Sequence, residues 1–254
     1  MERFEHEGKE YWESFGKSME LSPRQYFDFV SAEQYGELLE DIDLKDKNVI
    51  DIGAGFPPPA TDSPEKRFAP LASELPQIFE RKGAKIVAVD VATEALRKQQ
   101  EAGREAVLAS TFQLPFKTES VDGGCLILNL FNSSFGGDGR KEIFIKPNEC
   151  SHVLKEVFRV LRKGAFTIIN NYGYITAYLD GSMKIMGPEE KEMISPEETA
   201  DMAKKIGFRK IQRIPLDTER VEMGKKVMLE SFPESLREKL SIKLSESGAL
   251  FIKK

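Results

Sequence analysis

The chain has 254 residues, 40% of them hydrophobic and 31% charged, with a net charge of -5, which gives enough apolar surface for one large core and no global positive field for a nucleic-acid backbone. Two cysteines and two histidines, Cys125, Cys150, His6 and His152, are too few and too scattered for a zinc site or a disulfide framework, so no metal is expected. The apolar runs are too short to span a bilayer, so no membrane partner is expected; the N-terminus MERFEHEGKEYWES lacks the apolar segment of a secretory signal, and a cytoplasmic location is the expectation.

Residues 1 to 45 precede the first strand and carry Tyr11, Trp12, Phe15, Tyr26, Phe27 and Phe29. This aromatic density suits an N-terminal helical cap over a ligand, and it equally suits rings that pack extra helices on the body. From residue 46 onward strand-like and helix-like segments alternate, the pattern of a doubly wound, mainly parallel α/β sheet. Seven strands are expected, at Asn48 to Gly53, Lys85 to Asp90, Ala106 to Ala109, Gly124 to Asn129, Ala165 to Asn170, Phe208 to Ile214 and Ala249 to Lys253.

The first strand ends in VIDIGAGFP, where Asp51 is followed by Gly53 and Gly55. Glycines after a strand allow a tight turn whose backbone can approach a ligand, and such turns sit at the carboxyl edge where open α/β sheets bind ligands; an ordinary connecting turn is the plainer reading. Pro57 to Pro59 open an insertion near residues 56 to 68, and Pro70 and Pro76 divide the next helical stretch into two short pieces. The second strand, KIVAVD, ends in Asp90, placed to accept the hydroxyls of a ribose; it also reads as a cap for the helix beginning near Thr93. Asp90 follows Gly55 by 35 positions, against about 20 in dinucleotide-binding folds, so the insertion lies between them.

Farther on, Val153, Leu154, Val157, Phe158 and Leu161 recur at helical spacing over His152 to Lys163, with Gly164 ending the helix. Register places His152 beside the core-facing Val153, which favours a surface or capping role over catalysis. Residues 171 to 194 form another insertion. In SPEETADMAKKIG, Ser195 caps, Pro196 takes the first helical position, Glu198 completes a capping box and Gly207 makes the left-handed exit. A third insertion near 217 to 246 includes a helical segment from Pro233 to Leu244.

In their order, these motifs resemble the class I S-adenosylmethionine-dependent methyltransferases, especially the small-molecule branch. VIDIGAGFP is similar to the family's glycine-rich motif, with Pro57 replacing its usual third small residue. KIVAVD, LPFKTESVD (Leu114 to Asp122), HVLKEVFRVLRKGAFTII (His152 to Ile169) and IGFRKIQRI are similar to those that follow. The resemblance covers roughly residues 45 to 215, and it implies a seven-stranded sheet whose last strand is antiparallel. It also implies S-adenosylmethionine as cofactor: Asp51, Gly53, Ala54, Gly55 and Phe56 by the methionine part, Asp90 and Val91 by the ribose. Ser110 stands where the family often has an acid on the adenine, so Ser110, Thr111 and Phe112 would serve there, with Asn129 and Leu130 bordering the sulfonium. Tyr26, Asn132, Asn171, Tyr172 and Tyr174 are candidates for orienting an acceptor, and loop hydrogen bonding is their plainer role. The run NLFN replaces the family's proline-rich signature for amino groups on nucleic acids or protein amides, which favours a small-molecule acceptor over nucleic acid.

Two rivals stand beside this expectation. A nicotinamide dehydrogenase shares the strand, turn and acid, but lacks its third glycine here. A regulatory protein of the same fold would bind the cofactor without transferring the methyl group.

Overall fold

The computed structural model describes residues 30–55, 75–127, 147–171, 175–186, 194–230, 232–244 and 248–254. After a first helix, α1 (Ala32–Leu38), the chain runs through β1 (Asn48–Ile52), α2 (Leu75–Arg81), β2 (Lys85–Asp90), α3 (Thr93–Glu101), β3 (Glu105–Leu108) and β4 (Val121–Ile127). It continues with α4 (Pro147–Val160), β5 (Leu161–Asn171), β6 (Ile175–Leu179), β7 (Met183–Met186), α5 (Pro196–Ile206) and β8 (Lys210–Ile214), and ends with α6 (Thr218–Glu230), α7 (Glu234–Arg237), β9 (Leu240–Leu244) and β10 (Gly248–Lys253).

The seven expected strands form one sheet in the order β3-β2-β1-β4-β5-β10-β8. Strands β3, β2, β1, β4 and β5 are mutually parallel, while the final strand β10 runs antiparallel to both β5 and β8. Strand order reverses between β1 and β4, so the carboxyl ends of β1, β2 and β3 lie side by side at the switch point where such sheets bind ligands.

Each face of the sheet is sealed by helices. On one, Val153, Leu154 and Val157 of α4 pack with Ile50, Ile52, Val89, Ile169 and Leu250, the stripe that helical spacing predicts. On the other, Tyr35 and Leu39 join Leu75, Ile78 and Phe79 of α2 over Val49, Ile86, Phe166 and Phe251. Tyr35 is fully buried, and its hydroxyl accepts from Asn170 Nδ2 at 3.1 Å, fastening α1 to the end of β5. At α5 the boundary signals act as expected: Ser195 and Glu198 form the capping box, Pro196 opens the helix, and Gly207 leaves it at φ +119°.

Three expectations are corrected. The helix preceding β5 ends at Val160, because Leu161 pairs with Val121 of β4; Gly164, at φ +78°, serves the irregular stretch of β5 that follows, where its amide donates to Lys254 O at 3.0 Å. Strand β4 begins at Val121, and Gly123 and Gly124 lie inside it. A Cβ on Gly123 would stand 2.8 Å from Phe166 Cε1, so the glycine makes room for that ring and marks no strand end. The stretch from Pro233 to Leu244 is not a long helix: after the short α7 it becomes β9, which pairs with β6, and with β7 these form a separate three-stranded antiparallel sheet. Ladder hydrogen bonds between the two insertions override the helical pattern there.

Candidate cofactor site at the strand tips

Strand β1 is buried along Val49 to Ile52 and opens into the glycine turn at its carboxyl end. Gly53 and Gly55 adopt φ +72° and +56°, conformations that side chains with a Cβ rarely adopt. The amides of Gly53 and Ala54 donate to Val89 O at 2.8 and 3.2 Å, folding the turn over the tip of β2. Among the described residues nothing lies within 4 Å of the position a Cβ on Gly53 would take.

Two carboxylates flank this turn. Asp90, at the tip of β2, accepts from Gly55 N through Oδ2 at 2.9 Å and from Ala92 N through Oδ1 at 2.8 Å. The N-cap of α3 is Ala92, without a side-chain cap, so Asp90 braces the turn and the helix entrance without capping α3 itself. Burial raises its pKa, and the backbone donors oppose that rise. A carboxylate has about four acceptor positions, and with Val91 N also directed at it acceptor capacity for a further donor remains.

Asp51 is 6% exposed and accepts from Cys125 Sγ at 3.2 Å. Loss of solvation pushes its pKa from the ordinary 3.8 up to about 6, opposed by the thiol hydrogen bond and the Arg104 charge. The Cys125 thiol is pushed up as well, by burial and by the neighbouring Asp51, so it stays protonated. Asp51 at neutral pH is thus a poorly solvated anion, a favourable partner for a cation.

The third parallel tip carries Ser110, Thr111 and Phe112, tied to β2 where Ala109 N donates to Asp90 O at 3.0 Å. Ser110 Oγ accepts from Phe112 N at 3.2 Å, and Thr111 is buried. One face of α4 holds the segment that follows. Exposed His152 reaches Phe112 O at 2.9 Å through Nε2; because a carbonyl only accepts, Nε2 carries the proton. Glu156 Oε2 accepts from Leu114 N at 3.0 Å, and Arg159 donates to Phe116 O and Leu114 O at 2.8 Å each. His152 thereby helps fasten the loop.

Asp51, Gly53, Ala54, Gly55, Asp90, Val91, Ser110, Thr111 and Phe112 therefore gather along one edge of the sheet. Asn171 is paired with Gly248 at the end of β5, its side chain outside the description. Phe56, Asn129, Leu130, Tyr26, Asn132, Tyr172 and Tyr174 lie outside the described residues. Sequence reasoning missed Gln99, whose amide reaches the turn, with Arg104 and Glu80 behind it. Gln99 falls on the helical stripe of Ala95 and Leu96, and a polar residue on a buried stripe is the signal that could have found it.

Residues 70–169 match a family model described as a methyltransferase domain, a span that takes in Asp90 and the loop fastened to α4. No curated protein matches the chain. Among solved structures, a protein from Pyrococcus horikoshii is 15% identical at a TM-score of 0.53, with 94% of this chain and 98% of that one covered. An S-adenosylmethionine-dependent methyltransferase from Mesorhizobium loti is 12% identical at a TM-score of 0.50, covering 87% and 98%. These two likenesses concern the fold. Within the described residues no helix is long and apolar enough to cross a membrane. Residues 70–169 thus match a methyltransferase domain, and the strand order of the sheet is consistent with the Rossmann-like fold of the two solved structures.

Proposed function

We propose that the protein transfers the methyl group of S-adenosylmethionine to a small-molecule acceptor in the cytoplasm. One observation supports the cofactor placement: a single carboxylate, Asp90, at the tip of β2 binds the glycine turn of β1. Gly53, Ala54, Gly55 and Phe56 form the methionine end of the site, where Asp51 offers its poorly solvated charge to the ligand's cationic groups. Asp90 and Val91 hold the ribose; Ser110, Thr111 and Phe112 flank the adenine; Asn129 and Leu130 border the sulfonium. The cofactor supplies a methyl group already activated on a positively charged sulfur, so positioning and exclusion of water account for much of the rate without a dedicated base.

The acceptor end belongs to the additions around the sheet, with residues 1 to 45 forming a cap and the insertions near 56–68, 171–194 and 217–246 forming the walls. Tyr26, Asn132, Asn171, Tyr172 and Tyr174 orient the acceptor there. A net charge of -5 and the NLFN run after β4 support a small molecule over a nucleic acid.

Calorimetric titration of wild type and Asp90→Ala with S-adenosylmethionine, S-adenosylhomocysteine and NADH tests this reading. Wild type binds both adenosyl ligands, and the variant loses tenfold to a hundredfold in affinity, as expected for charge-assisted hydrogen bonds to two hydroxyls. Preference for NADH, or an Asp90→Ala variant that binds as wild type does, refutes the placement.

A further inference from the structure

A glycine turn has a weakness as a binding element: it has no side chains of its own to hold it in shape. Here Gly55 is gripped from both sides. Its amide donates to Asp90, and its carbonyl accepts from Gln99 Nε2 at 3.0 Å; the same nitrogen also reaches Ala54 O at 3.2 Å. Gln99 is 1% exposed, so these bonds are shielded from competing water.

The orientation of that amide is forced. Arg104 Nη1 donates to Gln99 Oε1 at 2.9 Å, and a guanidinium has no acceptor, so the oxygen must face Arg104 and the NH₂ group must face the turn. Arg104 is held in its turn by Glu80 of α2 through a two-pronged pair at 2.6 and 2.8 Å, with the arginine side chain only 7% exposed. The chain of contacts thus runs from α2 through α3 to the carbonyls of the cofactor turn.

We propose that Gln99 is a positioning residue for the methionine end of the cofactor, kept in its working orientation by the Glu80–Arg104 pair. The inference rests on the cofactor placement proposed above. With Gln99 removed, Ala54 and Gly55 keep their connections to β2 but lose the grip on their carbonyls, and the two positive-φ glycines sample other conformations. The consequence is confined to the part of the ligand that lies against the turn. Asp90, still fixed by Ala92 N, keeps its place for the ribose.

The test compares S-adenosylhomocysteine with 5′-methylthioadenosine, which lacks the amino-acid end, by calorimetry on wild type, Gln99→Leu and Glu80→Gln. In Gln99→Leu the dissociation constant for S-adenosylhomocysteine rises about tenfold, the equivalent of one to two neutral hydrogen bonds, while that for 5′-methylthioadenosine stays within about twofold. Glu80→Gln, remote from the turn, shows the same selectivity at about threefold. A merely structural role for Gln99 weakens both ligands together; that result overturns the proposal, as does no change for either. Should Gln99→Leu not fold, the ratio of the two affinities in Glu80→Gln decides by the same criterion. Failure of wild type to bind S-adenosylhomocysteine overturns the cofactor placement, whereas selective binding by wild type with unaltered selectivity in the variants overturns Gln99 alone.

Discussion

Asp51 stands in the protein at the expense of stability, and Asp51→Asn exposes how much. Burial moves the carboxyl from 3.8 up to about 6, and at about 1.4 kcal/mol for each tenfold change in proton affinity the buried charge costs about 3 kcal/mol above pH 6. The sign follows from a folded pKa above the unfolded one. Below pH 3.8 both states are protonated and the cost is absent; it grows between 3.8 and 6 and is complete above. Asparagine keeps an oxygen for the Cys125 thiol but adds an NH₂ group with no assured partner, a loss of about 1 kcal/mol. Asp51→Asn is therefore expected to be about 2 kcal/mol more stable than wild type at pH 7.5, and no more stable at pH 4. Urea unfolding at both values, without ligand, measures this. On the proposed placement binding moves the other way, since S-adenosylmethionine would lose an anionic partner and its affinity is expected to fall at least about tenfold. A variant less stable than wild type at pH 7.5, or a difference independent of pH, refutes the view that Asp51 is a strained anion kept for a cationic ligand.

Glu156→Gln tests the clamp between α4 and the segment after β3. The Arg159 guanidinium and the Leu114 amide hold the Glu156 carboxyl below its ordinary 4.5, so its stabilisation is present above pH 4.5 and lost as pH falls through the lowered value. With Arg159 one-third exposed, screening limits the loss in Glu156→Gln to about 1 kcal/mol at pH 7, and the gap to wild type closes in acid. Hydrogen exchange at the Leu114 amide quickens accordingly; unchanged protection there argues that the clamp does not order the loop. Gly123→Val tests the packing of β4: its Cβ would meet Phe166, a ring fixed between Phe79 and Phe251, and overpacking of that kind costs 1–3 kcal/mol. A melting temperature equal to wild type contradicts the packing account.

Legibility in the sequence followed the range of the forces involved. The cap of α5 is written in adjacent residues, Ser195 to Glu198, and could be read directly. The apolar stripe of α4 and the buried run of β1 are likewise local patterns. Partners distant in the chain were not legible: β6 and β9 pair Ile175 with Leu244, and no local pattern distinguishes a strand that pairs only with another insertion. The start of β4, expected at Gly124 and found at Val121, was missed for the same reason, because Gly123 is explained by a ring on β5 and by nothing beside it in sequence. At the site, the glycine turn and Asp90 announced themselves through residue type and position. Gln99 left only the trace of a polar residue on a buried stripe, and Arg104 and Glu80 left none, since their contribution consists of orientation, a property that composition does not encode.

The 35-residue separation between Gly55 and Asp90 leaves the contact between the two strand tips intact. Doubling a flexible connection adds only about 0.6 kcal/mol of closure entropy, a small burden against two strands paired from Asn48↔Lys85 to Ile52↔Val89. Gly53, Ala54 and Gly55 attach directly to Val89 and Asp90, so the turn takes its geometry from the neighbouring strand whatever lies between them. The match to the methyltransferase domain begins at residue 70, ahead of β2, and takes in Asp90. The bonds that hold the turn run to the tip of β2 and to Gln99 of α3. On the proposed reading, acceptor specificity lies in the additions and transfer chemistry at the strand tips of the sheet.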